Sequence, residues 1–414
     1  MLPDESPVSS SAATALDGPP ESGPWWLRPA ALYDGERMLD AVALRIEAGR
    51  ITTVVDAAQV PVRAACWRTE CLAVPAFVDL QVNGGGGVLF NNDPTPQALF
   101  AIAAAHRQGG TGAWMPTLLT TAPEVMTRAV EAVIAVYGRH GVAGMHIEGP
   151  HISPDFRGAH SLEHIRPYDA HTRDLVRRLR ERGIPVIVTL APERLPPGAL
   201  RELVALGARV SLGHSGATEA QARRALEEGA SLFTHLFNGM PPLQTKRGGM
   251  TGAALDSDAW CGVIADGWHV DDTMLRIAVR AKRDHGALFA VTDAMPTVHG
   301  PPQFELYGAP IRLRDGKLID ARGSLAGVHI DMIGTLRRLV RDVGLPIGTA
   351  LAMVTSGPAR AAGIEGRHGR LAPGAPADIA LLESEHVQLR HLLLEGVRVG
   401  GESGAPGAPR HASA

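Results

Sequence analysis

Residues 209–240, RVSLGHSGATEAQARRALEEGASLFTHLFNGM, decide the fold prediction. A short apolar run ends at His214, an Ala/Glu/Arg-rich helical pattern fills 219–228, and a second short run ends at His235. Two strands joined by a helix are parallel neighbours with a right-handed connection, so residues at their ends emerge side by side on one face. The two imidazoles are therefore predicted to lie together, where they could share a metal ion. Two unrelated loop histidines are the alternative.

The same alternation of short β-rich runs and helical segments extends over most of the chain. Eight runs have the pattern of strands, which is the number that a closed (β/α)8 barrel requires. The predicted strands are 76–81, 111–117, 142–148, 184–190, 208–213, 230–235, 261–266 and 287–293. Further helical patterns occupy 95–108, 122–137, 169–182 and 271–284. The fold class is thus α/β, a TIM-like barrel, with an inserted hairpin predicted at 303–320 around an Asp-Gly-Lys turn.

The two ends of the chain have a different pattern. Residues 25–74 and 371–400 alternate apolar and polar residues over short stretches, which is typical of antiparallel strands. Neither stretch is long enough to close a core alone, so we predict that both join in one small β-sandwich domain beside a catalytic barrel at 75–370. The Pro/Ser-rich leader 1–24 and the Gly/Pro/Ala-rich tail 401–414 are predicted to be disordered.

Composition and charge narrow the class of function. The 414 residues are 45% hydrophobic, which is enough for a large core, and the formal net charge of -3 gives no electrostatic reason to expect nucleic acid or an acidic membrane as partner. The cysteines, Cys66, Cys71 and Cys261, lack zinc-type spacing and are predicted to be reduced. No apolar run approaches the roughly 18 residues of a membrane span, and the leader does not have the pattern of a signal peptide. A cytoplasmic enzyme is the resulting prediction.

Polar residues collect at the predicted carboxyl ends of strands, where barrel enzymes place their active sites. Glu148, His214, His235 and Asp293 each close one predicted strand. Two imidazoles and one carboxylate are the ligand set of a catalytic zinc site with one position open for water. Such a metal lowers the pKa of its water from about 16 towards 7 and polarises a carbonyl. Asp293 then fits a general base, and a turn aspartate before Ala-Met-Pro is the alternative.

Eight longer motifs between residues 75 and 327 carry a further signal. In chain order they are PAFVDLQVNGGGG, GTGAWMPTLLT, GMHIEGPHISPDFRGAH, GHSGAT, THLFNGMPPL, GVIADGWHV, VTDAM and GSLAG. With these motifs the chain resembles the N-acetylglucosamine-6-phosphate deacetylase family of the amidohydrolase superfamily. The resemblance implies an amidohydrolase-type barrel and a metal-dependent hydrolase that converts N-acetylglucosamine 6-phosphate into glucosamine 6-phosphate and acetate, a step of amino-sugar catabolism or cell-wall recycling.

The resemblance also implies roles for single residues. Glu148, His214 and His235 correspond to the metal ligands, Asp293 to the catalytic acid and base, and His160 to a histidine near the acetamide carbonyl. The implied substrate contacts are Ala159, Asn238, Gly239, His269, Leu325, Ala326 and Gly327.

The 6-phosphate ligand is implied at 246–247, where the chain offers Lys246 and Arg247. We favour Arg247, because a guanidinium can bind a phosphate through two parallel hydrogen bonds, although a lysine also serves. An exposed surface pair is the alternative for both. In the family this residue can reach across a dimer interface, so the resemblance implies a homodimer.

The first predicted strand departs from many metal-dependent amidohydrolases, which have His-x-His there to hold a second metal. This chain has Gln81-Val82-Asn83, and carboxamides are weaker zinc ligands than imidazoles. We therefore predict one divalent metal ion per subunit, with Gln81 and Asn83 at vestigial second-metal positions. Zn²⁺ is the favoured ion, and Fe²⁺, Co²⁺ and Mn²⁺ are alternatives for the same ligand set.

Three other functions are weighed against this one. A deacetylase of N-acetylgalactosamine 6-phosphate would act on a sugar that differs only in the direction of one hydroxyl, which no residue above reports. A non-catalytic sugar-phosphate sensor would have no need of Asp293 as a proton shuttle. A cyclic-amide hydrolase of the dihydroorotase kind relies on the His-x-His pair and usually on a modified lysine that bridges two metals, and neither is found at the corresponding positions.

Overall fold

Eight short, largely apolar runs form the central sheet of the computed structural model, which describes residues 15–284 and 286–399. The strands, named β1 to β8 in chain order, are Phe77–Val82, Thr111–Leu119, Met145–Glu148, Val186–Leu190, Arg209–Leu212, Leu232–Phe233, Trp260–Ile264 and Leu288–Val291. Each strand pairs in parallel with the next, and a parallel bridge between Val82 and Ala294 joins the end of β8 to β1. The predicted (β/α)8 barrel is confirmed.

A helix follows each barrel strand, and the helices pack around the sheet. They are Pro96–Gln108, Pro123–Val136, Ala170–Arg180, Ala199–Ala205, Glu219–Glu227, Gly249–Leu255, Asp272–Ala281, Met332–Arg341, Ile347–Val354 and Ser356–Ala362. The helix predicted at 219–228 begins after Thr218, where Thr218 and Gln221 form a capping box. None of the helices in the described ranges has the length and apolar character needed to cross a bilayer.

Burial explains why the barrel strands are nearly continuous in apolar residues. Strands β1 to β4 are buried along their whole length, as expected when helices cover one face of a parallel sheet and the barrel interior the other. Apolar side chains such as Leu80, Met115, Ile187 and Phe289 form one cluster inside the sheet. The filled interior leaves the carboxyl ends of the strands as the place where polar groups meet.

Strands from both chain ends build the small domain as two sheets. One sheet contains Ala15–Leu16, Trp25–Arg28, Val42–Glu47, Arg50–Asp56 and Cys66–Arg68. The other contains Ala31–Tyr33, Met38–Asp40, Leu72–Pro75, Ile379–Glu383, Gln388–Leu394 and Val397–Arg398. Residues 379–382 pair antiparallel with 72–75, so the predicted joining of the two ends is confirmed. A shared apolar core that includes Trp25, Leu44 and Leu381 lies in this domain.

The N-terminal leader departs from the prediction of disorder over 1–24. Ala15–Leu16 pairs in parallel with Cys66 and Trp67, and Leu16 packs against the core of the small domain. An exposed sheet edge offers unpaired N–H and C=O groups, which a short apolar segment can satisfy. The prediction is wrong for this short strand, while residues 1–14 and the tail 401–414 lie outside the described residues.

The inserted segment after β8 is a three-stranded antiparallel sheet of Gln303–Leu306, Ala309–Arg314 and Lys317–Ile319. The predicted Asp-Gly-Lys turn is present between the last two strands, and the first strand is an addition to the predicted hairpin. Its apolar residues pack with Leu119, Met295 and Ala326. The insertion therefore covers the carboxyl end of the barrel. A shorter pair, Gly84–Gly85 and Val88–Leu89, follows β1.

Candidate active site

Residues far apart in sequence converge at the carboxyl end of the barrel, in a pocket of about 180 Å³. Glu148 Oε1 lies 3.1 Å from the Nε2 atoms of both His214 and His235, and those two nitrogens are 3.0 Å apart. Their side chains are at most 7% exposed. The structure thus brings together the three predicted metal ligands.

The chemistry of these three donors fits a cation. His214 Nδ1 donates to the carbonyl oxygen of Phe156 at 2.8 Å, so its Nε2 carries a lone pair that faces the Glu148 carboxylate. Burial raises the pKa of Glu148, but the close contacts with His214 and His235 outweigh burial and hold that pKa well below its usual value. Donors around tetrahedral zinc lie roughly 3.3 Å apart for bonds of about 2.0–2.2 Å. A divalent ion would satisfy lone pairs that otherwise face one another.

The backbone is unusual where these strands end. His214, His235 and Asp293 have φ values of 49°, 29° and 49°, in a region that residues with a Cβ rarely adopt. Such conformations cost about 1–3 kcal/mol each and persist only where the surrounding structure determines them. One residue separates each of the three from the end of a barrel strand, and the turn directs its side chain into the pocket.

His160 is a second candidate ligand by distance, because Glu148, His160 and His214 present donor atoms within 4.8 Å of one another. Its Nδ1, however, accepts from the backbone N–H of Thr120 at 3.2 Å and lies 2.8 Å from the Thr120 hydroxyl. Burial, together with the nearby His214, lowers the pKa of His160 to about 3, so the ring is neutral. The hydrogen is then on Nε2, which makes His160 a hydrogen-bond donor and favours His235 as the third ligand.

Asp293 lies beside the ligand set, with its carboxylate held by carboxamides from β1 and the residue after it. Asn83 Nδ2 donates to Asp293 Oδ1 at 2.7 Å, and Gln81 Nε2 donates to the same oxygen at 3.1 Å. Gln81 Nε2 also lies 3.1 Å and 3.2 Å from the two oxygens of Glu148. Burial, with repulsion from Glu148, raises the pKa of Asp293 to about 6. Gln81 therefore acts as a hydrogen-bond donor to both carboxylates, and Asn83 acts as a donor to Asp293.

A buried hydrogen-bond chain under the site was missed by sequence reasoning. His146 Nε2 lies 2.7 Å from Thr189 Oγ1, which lies 2.7 Å from Thr234 Oγ1, which in turn lies 2.6 Å from Ser211 Oγ. These residues lie on or next to β3, β4, β6 and β5. The row of hydrogen bonds therefore links the strands that present Glu148, His214 and His235. Burial lowers the pKa of His146 to about 4, which leaves it neutral. The signal in the sequence was the placement of these polar residues within otherwise apolar strands.

The predicted substrate residues line the same pocket. They are Ala159, Asn238, Gly239, His269, Leu325, Ala326 and Gly327. The pocket also includes Leu119, Gly158, Ile264 and Met295, which sequence reasoning missed although Leu119 and Ile264 end strands β2 and β7. Gly239 lies so close to the predicted ligand His214 that a Cβ there would be 2.9 Å from His214 Nδ1.

Asp266 positions His269 and was also missed. Its Oδ2 lies 2.6 Å from His269 Nδ1, and its Oδ1 accepts the backbone N–H groups of Trp268 and His269 at 2.9 Å each. Burial raises the pKa of Asp266, but the hydrogen bond with His269 outweighs it and the net pKa lies below the usual value. The short spacing Asp-Gly-Trp-His was the available signal for this pair.

Lys246 and Arg247 lie outside the pocket of their own chain. Both lie in an exposed turn around a bridge between Gln244 and Arg247, and neither lines the cavity that holds Asp293. Across the described parts of the chain, neither cationic group makes a hydrogen bond or ion pair. Among the described residues of one chain, the lining of the pocket therefore includes His269 but no arginine or lysine.

Comparisons with known proteins agree with this geometry. The amidohydrolase family model matches residues 72–399. N-acetylgalactosamine-6-phosphate deacetylase of Shewanella sp. (strain ANA-3) is 40% identical over 296 residues, 70% of this chain and 74% of that protein. N-acetylglucosamine-6-phosphate deacetylase of Haemophilus influenzae is 34% identical over 312 residues, 74% of this chain and 81% of that protein.

Solved structures show the same architecture. The crystal structure of N-acetylglucosamine-6-phosphate deacetylase from Pasteurella multocida superposes with a TM-score of 0.85 at 31% identity, covering 91% of this chain and 99% of that one. A variant of the Mycobacterium smegmatis enzyme in complex with N-acetyl-D-glucosamine 6-phosphate gives a TM-score of 0.83 at 28% identity, covering 91% of this chain and 100% of that one.

Proposed function

The chain belongs to the amidohydrolase family, and we propose that it removes the acetyl group of N-acetylglucosamine 6-phosphate to give glucosamine 6-phosphate and acetate. The observation that carries the proposal is the convergence of Glu148, His214 and His235 beside the buried carboxylate of Asp293. A sensor on the same scaffold would need no proton-accepting group there. The relatives named above are deacetylases of acetamido sugar phosphates.

The metal site is proposed from the donor set. When bound by Glu148, His214 and His235, a divalent ion would supply an activated water and polarisation of the acetamide carbonyl. Zn²⁺ suits two imidazoles and a carboxylate, and Fe²⁺, Co²⁺ and Mn²⁺ are alternatives for the same ligands. We propose a single ion per subunit, because Gln81 and Asn83 donate hydrogen bonds to the carboxylates that a second ion would otherwise need.

Asp293 and His160 are the protein side chains that are proposed to take part in the reaction. The Asp293 carboxylate accepts a proton from the attacking water and then donates it to the leaving amine, a cycle that suits a pKa raised by burial. Asn83 and Gln81 orient that carboxylate. The Nε2–H of neutral His160 faces the pocket and donates to the carbonyl oxygen as negative charge develops on it.

The phosphate side of the pocket is proposed to be completed by a second copy of the chain. His269, fixed by Asp266, is the phosphate-side residue contributed in cis. Arg247, or Lys246 beside it, is exposed and has no side-chain partner among residues 15–284 and 286–399, and a homodimer would place it at the partner's pocket. The only other partner proposed is a small phosphosugar substrate. Neither nucleic acid nor membrane is proposed as a partner, and the proposed location is the cytoplasm, as in the sequence analysis.

The second candidate substrate is N-acetylgalactosamine 6-phosphate. It is favoured by one specific observation, the 40% identity with the Shewanella deacetylase of that sugar, against 34% for the Haemophilus deacetylase of the gluco epimer. The two sugars should be compared by kcat/KM with the same preparation of enzyme. A clear preference for the galacto sugar would overturn the substrate proposed above but leave the deacetylase mechanism standing.

The proposed function is tested by acetate release together with elemental analysis of protein purified without added metal. We expect about one equivalent of divalent metal per chain, loss of turnover after chelation and recovery when the metal is restored. Two equivalents per chain would contradict the single-ion proposal. Full turnover by metal-free protein would contradict the mechanism.

A further inference from the structure

A second cavity lies at the opposite end of the barrel from Asp293. Its volume is about 590 Å³, and it is bounded by the amino ends of barrel strands and by the edge of the small domain. The lining comes from the turn 137–143 before β3, the turn before β4, the linker 363–368 and the turn at 394–395. Sites for small molecules commonly have volumes of about 300–1,000 Å³, so this cavity is large enough for one.

One wall of this cavity is cationic. It contains Arg107, at the end of a helix, with Arg139 and His140 on the adjacent turn. The Arg139 guanidinium lies 5.4 Å from the centre of the Phe100 ring, and the His140 ring lies 4.2 Å from the same ring. Burial, with the charges of Arg107 and Arg139, lowers the pKa of His140, which reflects how closely these three groups are placed.

The two carboxylates of the cavity contact Arg367 and His368 of the same lining, and the charge of Asp378 also acts on Arg107. Glu395 forms an ion pair with Arg367 at 3.7 Å. Asp378 accepts the backbone N–H of Glu395 at 2.8 Å and lies 4.0 Å from His368 Nδ1. Among residues 15–284 and 286–399, no carboxylate comes within ion-pair distance of the Arg107 or Arg139 guanidinium, and neither guanidinium makes a hydrogen bond. Both arginines therefore have donors free for a ligand.

The turn that carries Arg139 and His140 is held rigidly. His140 has a φ of 52°, between Gly138 and Gly141 at 77° and 79°. The Trp114 indole donates to the His140 carbonyl oxygen at 3.2 Å, and a Cβ on Gly141 would collide with the carbonyl oxygen of Gly112. A fixed turn reduces the entropy that binding must overcome.

We propose that this cavity binds a phosphate-bearing small molecule between Arg107 and Arg139. A guanidinium matches phosphate oxygens through parallel hydrogen bonds, and two of them can neutralise a dianion in a half-buried setting. His140, which lines the cavity beside Arg139, adds a ring N–H donor. The site is distinct from the catalytic pocket and does not depend on the proposed deacetylase activity.

The site is tested with inorganic phosphate in calorimetric titrations of the full-length protein. The double variant R107Q/R139Q removes both guanidinium groups, and R63Q/R128Q is a matched control that removes the same charge from exposed positions outside the cavity. Loss of charge-assisted hydrogen bonds predicts at least about tenfold weaker phosphate binding for R107Q/R139Q than for the control. Equal affinities of the two variants would overturn the proposal.

Two further measurements separate this site from the catalytic pocket. Crystals soaked in sodium tungstate should show an anomalous peak between Arg107 and Arg139, and a peak confined to the pocket of Asp293 would overturn the proposal. Without phosphate, R107Q/R139Q should retain the turnover of the control, because neither arginine lines the catalytic pocket. Should the double variant fail to fold, Arg139→Gln alone lies on an exposed turn and should still weaken phosphate binding.

Discussion

The proposed metal side and the proposed phosphate side of the active-site pocket are built differently. On the metal side, Glu148, His214 and His235 lie at strand ends, are buried, and are linked across 66 and 87 residues of sequence. On the phosphate side, His269 depends on one local partner, Asp266, and Arg247 lies exposed outside the pocket. From this difference we propose that one chain fixes the reacting groups, whereas affinity for the phosphate depends on the turn that carries His269 and on a second copy of the chain.

The largest effect should come from Asp293→Asn on the metal side. The carboxamide cannot accept the proton of water, so kcat should fall by about 10²–10⁴-fold. Metal content should remain that of the wild type, because the three ligands are unchanged. Acetate release and elemental analysis of the same sample provide the measurement. Survival of normal turnover would show that Asp293 is not the proton acceptor.

Arg247→Ala tests the phosphate side and should have a smaller effect, confined to phosphorylated substrate. Loss of a bidentate phosphate contact predicts a rise in KM of about 10–100-fold. Lys246→Ala is the matched control, and unphosphorylated N-acetylglucosamine should be turned over equally by all three proteins. An equal rise in KM for Lys246→Ala would remove the preference for Arg247.

The dimer proposal makes a separate prediction that one chain alone cannot satisfy. If Arg247 completes the partner's pocket, a mixed dimer of D293N and R247A contains one site in which both Asp293 and the partner's Arg247 are unmodified. Half of the dimers are mixed after reassembly, so about one quarter of all sites should be restored. The control is a mixture of D293N with H269A. Each of these changes lies in the pocket of the chain that carries it, so no site should be restored. Recovery in neither mixture would place Arg247 outside the partner's active site.

Asp266→Asn should loosen His269 without touching the metal side. Losing the charged partner of His269 predicts about a tenfold lower kcat/KM for the phosphosugar. Metal content and the turnover of unphosphorylated N-acetylglucosamine should not change. A loss of metal in this variant would mean that the two sides of the pocket are coupled, contrary to the comparison above.

The pH dependence of kcat tests the role of Asp293, and here we expect the smallest effect. Asp293 must be ionised to accept a proton, so kcat should fall as the pH drops through the pKa of Asp293, which burial raises to about 6 and a bound cation would lower. The hydrogen bond from Asn83 lowers that pKa, so Asn83→Leu should move the acid limb of the profile to higher pH. An unchanged acid limb would assign it to another group.

Local patterns explain why much of the fold could be predicted. Alternation of short apolar runs with helical segments is a local property, and it predicted all eight barrel strands and a helix at 219–228, which the structure has at Glu219–Glu227. Parallel strands that end at one edge then predicted where Glu148, His214, His235 and Asp293 would meet. The Ala15–Leu16 strand was not predictable, because two residues have no period and their pairing with Cys66 and Trp67 spans about fifty residues.

The sequence by itself determined the order of strands and helices and the identity of the polar groups at the strand ends, because residue type and spacing are written along the chain. Only the tertiary structure decided what those groups do to one another. It turned Gln81 and Asn83 into donors for two carboxylates, set the tautomer of His160 through Thr120, and left Arg247 outside its own pocket. Hydrogen bonds and burial depend on distances between residues remote in sequence, which no local pattern contains.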